Sequence, residues 1–137
     1  MSIVDLLCNS AERLPSNKAI HFGNQFITYS ELQEKVFQVA AGLKNIGVKE
    51  GVQVSLMMTN RPEYIVSYFA ILANGATVVP INSTFKEQEI TYIVNDSESQ
   101  FLLMESIVKP VINQAKSGFK QVQQIFCLGS EDEEYVS

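Results

Sequence analysis

The stretch "NRPEYIVSYFAILANGATVVPIN", Asn60 to Asn82, combines a capped start, an apolar middle, a glycine stop and an apolar run that ends in proline. Asn60 with Glu63 three residues later is the pattern of a capping box, and Pro62 sits in the first turn, where its missing N–H costs nothing. Tyr64 to Ala73 is apolar nearly all round, which predicts a deeply packed helix. Asn74-Gly75 supplies a left-handed stop, and "ATVVPI" follows as a strand closed by Pro80. The stretch contains a helix and the strand after it, and no residue in it is placed to transfer a proton, hold a metal or attack a carbonyl.

The same rhythm extends outward. "QVSLMM" (Gln53–Met58) is a short apolar run that suits a strand buried on both faces. Upstream, Thr28 and Glu31 form a capping-box pair, and Leu32, Val36, Val39, Leu43 and Ile46 make one helical stripe that Gly47 stops. "AIHF" and "FITY" flank Gly23-Asn24, a two-residue hairpin signal. Before them, Ser2 with Asp5 caps a helix carrying Ile3, Leu7, Ala11 and Leu14, which Pro15 ends. Downstream, Thr84 and Glu87 are expected to cap a helix through about Asn95, with Ile90, Ile93 and Val94 inward. "QFLLM" is a strand, Pro110 opens a helix that Gly118 closes, and "QQIFCL" is the last strand, before the acids Glu131 to Glu134. After a helix and a hairpin, strand and helix alternate through four strands. The predicted class is therefore α/β, a mostly parallel sheet with right-handed crossovers and helices on both faces.

Composition narrows the function. Ten basic against fifteen acidic residues leave a formal charge of −5, the reverse of a nucleic-acid binder. Cys8 and Cys127 belong to no CxxC pair and read as reduced thiols. The amino terminus has no Lys or Arg in its first ten residues and carries Asp5, which is a poor export signal. Asn74, Gly75 and Pro80 interrupt the apolar segment Tyr64–Ile81, so no transmembrane helix is expected and the chain reads as cytoplasmic. The glycosylation-type triplets at Asn82 and Asn95 then carry no meaning.

Chemistry is sparse. No G-x-G-x-x-G and no G-x-x-x-x-G-K-[ST] occurs; Gly42, Gly47 and Gly51 lie at a helix end and before a strand, the wrong place for a phosphate. "SGFK" (117–120) is a helix end by position, and "LGSEDEE" carries four acids that would repel phosphate. His21, the only histidine, reads as a surface or packed strand residue. No metal spacing stands out, and Glu63, Asp5, Asp96 and Asp132 read as caps and solvated faces. Tyr29 and Tyr64 read as packing residues at helix starts. No catalytic, cofactor-binding or metal residue is assigned.

"FITYSEL", "VAAGLKNIGVKEGVQV", "NRPEYIVSYFAILANGATVVPIN" and "EITYIVNDSESQFLL", in that order and spacing, resemble the amino-terminal part of an AMP-forming acyl-CoA synthetase, within the acyl-adenylate-forming superfamily. The resemblance covers roughly Ala19 to Met104, and Gly51-Val52 departs from the Gly-Asp often found there. It implies that residues 1–137 are the amino-terminal subdomain of the large adenylate-forming domain, without the carboxyl-terminal lid. It implies a long-chain fatty-acid ligase-like parent that forms acyl-AMP and pyrophosphate from a carboxylic acid and ATP with Mg, then transfers the acyl group to coenzyme A. The family's phosphate loop, ribose-binding acid and lid lysine have no matching position here, so the chain alone is expected to bind none of these cofactors and to be inactive. Other readings are a fragment of an aryl-CoA ligase or a peptide-synthetase adenylation domain, or a free-standing α/β domain that binds a ligand or partner. Truncation would leave a surface that self-associates, with "QQIFCL" the expected contact.

Overall fold

The computed structural model describes residues 3–128 and 134–135, so the Ser2 cap and the acids 131–133 lie outside the described residues. The order is α1 (Ile3–Arg13), β1 (Lys18–Phe22), β2 (Gln25–Thr28), α2 (Tyr29–Asn45), β3 (Gln53–Met57), α3 (Pro62–Ala73) and β4 (Thr77–Pro80). Then come α4 (Glu87–Asp96), β5 (Phe101–Glu105), α5 (Lys109–Ala115), β6 (Gln124–Leu128) and β7 (Glu134–Tyr135). β1 and β2 form the expected hairpin around Gly23-Asn24, pairing Phe22 with Gln25.

The main sheet has the order β4-β3-β5-β6-β7. Its first four strands are parallel, as the alternation of strand and helix requires. β7 adds antiparallel to β6 through Ile125–Tyr135 and Phe126–Glu134. That corrects the expectation that "QQIFCL" is the last strand: β6 has neighbours on both sides there, β5 and β7.

Side chains of β3 and β5 alternate between two apolar layers. Val54, Leu56, Phe101 and Leu103 pack on one face with Leu7, Leu32, Val36, Val66 and Ile71, from α1, α2 and α3. Met57, Leu102 and Met104 pack on the other with Ile90, Val94 and Ile112, from α4 and α5. The double burial explains why these runs are apolar without a polar alternation. No residue of α3 is exposed, in agreement with its apolar circumference.

The helix ends show how local sequence sets the frame. The Thr28 hydroxyl accepts from the Glu31 N–H at 3.2 Å, and the Glu31 carboxylate accepts from the Thr28 N–H at 3.0 Å. Hydrogen bonding from the Thr28 N–H, and secondarily from the Thr28 side chain, holds the Glu31 carboxyl below the usual carboxylate range. α3 closes with Gly75 N–H to Leu72 O at 2.9 Å and Ala76 N–H to Ile71 O at 3.2 Å, with Gly75 at φ 79°. Gly47, φ 107°, closes α2 with the same pair of bonds. α4 ends likewise, but the left-handed residue is Glu98, φ 56°.

Two expected caps are absent. Asn60 is exposed and caps nothing; the N-cap of α3 is Arg61, with no side-chain cap bond. Pro62 disfavours helical backbone in the residue before it, and Arg61 is accordingly extended (φ −145°, ψ 165°), one position after Asn60. Thr84 is not a cap either: its N–H and hydroxyl both donate to Asn82 Oδ1, at 2.9 and 2.8 Å, and α4 begins after Lys86. Glu89 supplies the only cap contact there, accepting from the Lys86 N–H at 3.1 Å.

Opposite substitutions at the two left-handed stops should move stability in opposite directions. Gly75→Val should cost roughly 1–3 kcal/mol, because a β-branched residue resists positive φ. Glu98→Gly should raise stability by up to about 1 kcal/mol. Urea denaturation measures both, and a neutral Gly75→Val would contradict the helix stop.

Candidate functional site

The chain leaves β3 toward β4 on one side, then returns past β3 to place β5 on its other side. α3 belongs to one apolar layer, while α4 and α5 belong to the other. A reversal of direction combined with a change of face keeps every crossover the same hand. It also splits the connections that leave the carboxyl ends of β3 and β5. The split opens a crevice, the place where sheets of this kind meet their ligands.

Glu105, the last residue of β5, fills that crevice. It is 4% exposed. Its Oε1 accepts from the Thr59 N–H, just beyond β3, at 2.5 Å, and its Oε2 accepts from Arg61 Nη1 at 2.6 Å. Arg61 Nε also donates to Glu63 Oε2 at 2.8 Å. Burial pushes the Glu105 carboxyl up, but the bonds from Thr59 and Arg61 outweigh it and leave the group below the ordinary carboxylate range. The bonds to Glu105 and Glu63 raise the Arg61 guanidinium in turn.

Beside this cluster runs a groove of about 500 Å³ at the carboxyl ends of β3 and β4. Met58, Thr59, Asn60 and Tyr64 face Pro80, Ile81, Asn82 and Ser83 across it. Its lining carries no Asp, Glu, Lys, Arg or His. Burial, and secondarily Tyr68, raises the Tyr64 hydroxyl above its ordinary range. A second groove, of about 280 Å³, lies between α2 and α3 with Lys35 and Glu63 in its wall.

The other residues weighed from sequence lie apart from the crevice. His21 is exposed in β1, its ring 6.3 Å from that of Phe26. Cys8 in α1 and Cys127 in β6 form no disulfide. "SGFK" begins in a 3-10 turn (Lys116–Gly118) that ends α5. Most of "LGSEDEE" lies outside the described residues. Among the described residues no cluster of three or more His, Cys, Asp or Glu could hold a metal ion, and no helix is long and apolar enough to cross a membrane. Glu63 is an ion-pair partner of Arg61 rather than a cap. Sequence reasoning missed Arg61 and Glu105. The available signal was an acid at the end of the otherwise apolar run "FLLME", in register with the residues after β3.

The sequence profile of the family described as AMP-binding enzyme matches residues 7–135. Tyrocidine synthase 3 of Brevibacillus parabrevis is 34% identical over 116 residues, 85% of this chain and 2% of that protein. The long-chain-fatty-acid–CoA ligase of Bacillus subtilis (strain 168) is 28% identical over 109 residues, 80% of this chain and 20% of that protein. In structure, the chain superposes on the anthranilate CoA ligase AuaEII, solved with anthranoyl-AMP, with a TM-score of 0.90 at 27% identity. That superposition covers 98% of this chain and 26% of the other. The chain thus spans between 2% and 26% of each of these proteins.

Glu105 also makes stability depend on pH. Its folded-state pKa is depressed, so its contribution is complete above the ordinary glutamate pKa, near ~4.3. It is lost as pH falls through the lowered folded value. Wild type should therefore exceed Glu105→Gln in unfolding free energy by about 2 kcal/mol at neutral pH. The difference should shrink steadily below the ordinary glutamate range. A gap that stays constant from neutral pH into acid, measured by denaturant unfolding, would contradict an ionised Glu105.

Proposed function

The chain belongs to the AMP-binding enzyme family, and on that premise we propose that residues 1–137 are the amino-terminal subdomain of a cytoplasmic AMP-forming acid–thiol ligase. The whole enzyme activates a fatty or related carboxylic acid as acyl-AMP and passes it to coenzyme A. The observation that carries this reading is a family match over nearly the whole chain, joined to the small share of each relative that the chain spans. The carboxyl-terminal lid and the nucleotide-binding residues belong, in this reading, to the rest of that enzyme.

The residues present do not fit ATP or its magnesium. At the crevice two carboxylates face one guanidinium, an arrangement that repels phosphate. No step of the chemistry is therefore assigned to this chain; its part is a rigid wall beside the active centre. Exposed Phe22, Phe26 and Tyr92 meet the remaining polypeptide in the whole enzyme, and a second copy when this chain is alone. A second reading, a peptide-synthetase adenylation domain, is favoured by the 34% identity to tyrocidine synthase 3 against 28% to the fatty-acid ligase.

ATP–pyrophosphate exchange tests both readings. The complete protein should exchange with fatty acids and form an acyl-CoA; exchange with amino acids alone would establish the second reading instead. Residues 1–137 by themselves should give no exchange above background, and activity there would overturn the scaffold assignment. Sedimentation of the same sample should show association, and a clean monomer at high concentration would count against the exposed-surface argument.

A further inference from the structure

A crevice at a strand-order reversal suits an anion, because strand ends, a helix amino terminus and often a cation converge on it. Here three of the converging donors are already taken. The Thr59 N–H and Arg61 Nη1 both donate to Glu105, and Arg61 Nε donates to Glu63. Arg61 is extended at the N-cap of α3, so its guanidinium and the helix dipole act on the same carboxylates. Glu105 is held on a fully buried strand rather than on a loop that could release it.

We propose that Glu105 is a resident anion, its carboxylate occupying the place that a ligand phosphate or carboxylate would take at this switch point. It is a positioning residue: it fixes the turn from β3 to α3, and that turn, at Met58, Thr59 and Asn60, is one wall of the groove. A ligand that enters the groove presents an uncharged portion there, since the anion receptor is filled from within. The inference rests on topology and distances, and stands whether or not the ligase reading holds.

Chemical rescue tests it. Wild type, Glu105→Ala and Glu105→Gln are melted in sodium acetate and in sodium chloride at equal ionic strength, with amide and Arg Nε resonances followed in parallel. Glu105→Ala should lower Tm by roughly 10 °C. Acetate should restore part of that loss and shift the Thr59 amide and Arg61 Nε resonances saturably. Glu105→Gln, whose amide fills the site without charge, should gain nothing from acetate. Wild type should show no saturable shift at Thr59 with acetate or inorganic phosphate. Failure of acetate to rescue a folded Glu105→Ala overturns the proposal, as does saturable binding of either anion at wild-type Thr59. If Glu105→Ala does not fold, the wild-type titration decides alone: a silent Thr59 upholds the resident anion, and a shifting one refutes it.

Discussion

β3 and β5 are buried on both faces, and the rest of the structure follows from that constraint. Leu56, Leu102, Leu103 and Met104 are completely inaccessible, with helices covering the sheet on either side. No water reaches such strands, so each polar group on them must find its partner within the protein. Ser55 on β3 does so through a hydroxyl chain, 2.7 Å to Ser99, which is in turn 2.8 Å from Ser97. Glu105 at the end of β5 does so through Thr59 and Arg61. A buried carboxylate needs both a cation and fixed N–H donors, and the loop that leaves β3 delivers them.

The position of this pair has consequences for function. It lies where the sheet order reverses, the one place in a doubly wound sheet that topology reserves for a ligand. In this chain the space is closed by its own carboxylate, and the neighbouring groove carries neutral polar and apolar groups. Such a surface suits a wall that is shaped and held still rather than a centre that handles charge.

Much of this frame was legible in the sequence because it is written locally. Gly75 and Gly47 mark left-handed stops whose backbone only glycine adopts cheaply, and the Thr28–Glu31 spacing specifies a cap without reference to the rest of the chain. Asn60 was misread because its spacing to Glu63 matches the same pattern, although Pro62 forces the cap one residue later. At Thr84 the competing partner was Asn82, two residues back, and at Glu98 a left-handed stop formed without glycine. The resident carboxylate was not legible. Arg61 and Glu105 are 44 residues apart, and only the parallel register of β3 and β5 brings them together.

Hydrogen exchange at the Thr59 amide probes the closed crevice most directly. This N–H lies outside any helix or strand, in a loop that would otherwise exchange freely. Bonded to a buried carboxylate, it should exchange as slowly as the amides of β3, and Glu105→Gln should speed it by at least about tenfold, the factor that ~1.4 kcal/mol represents. A Thr59 amide that exchanges at the rate of an exposed loop in the wild-type protein would contradict the account.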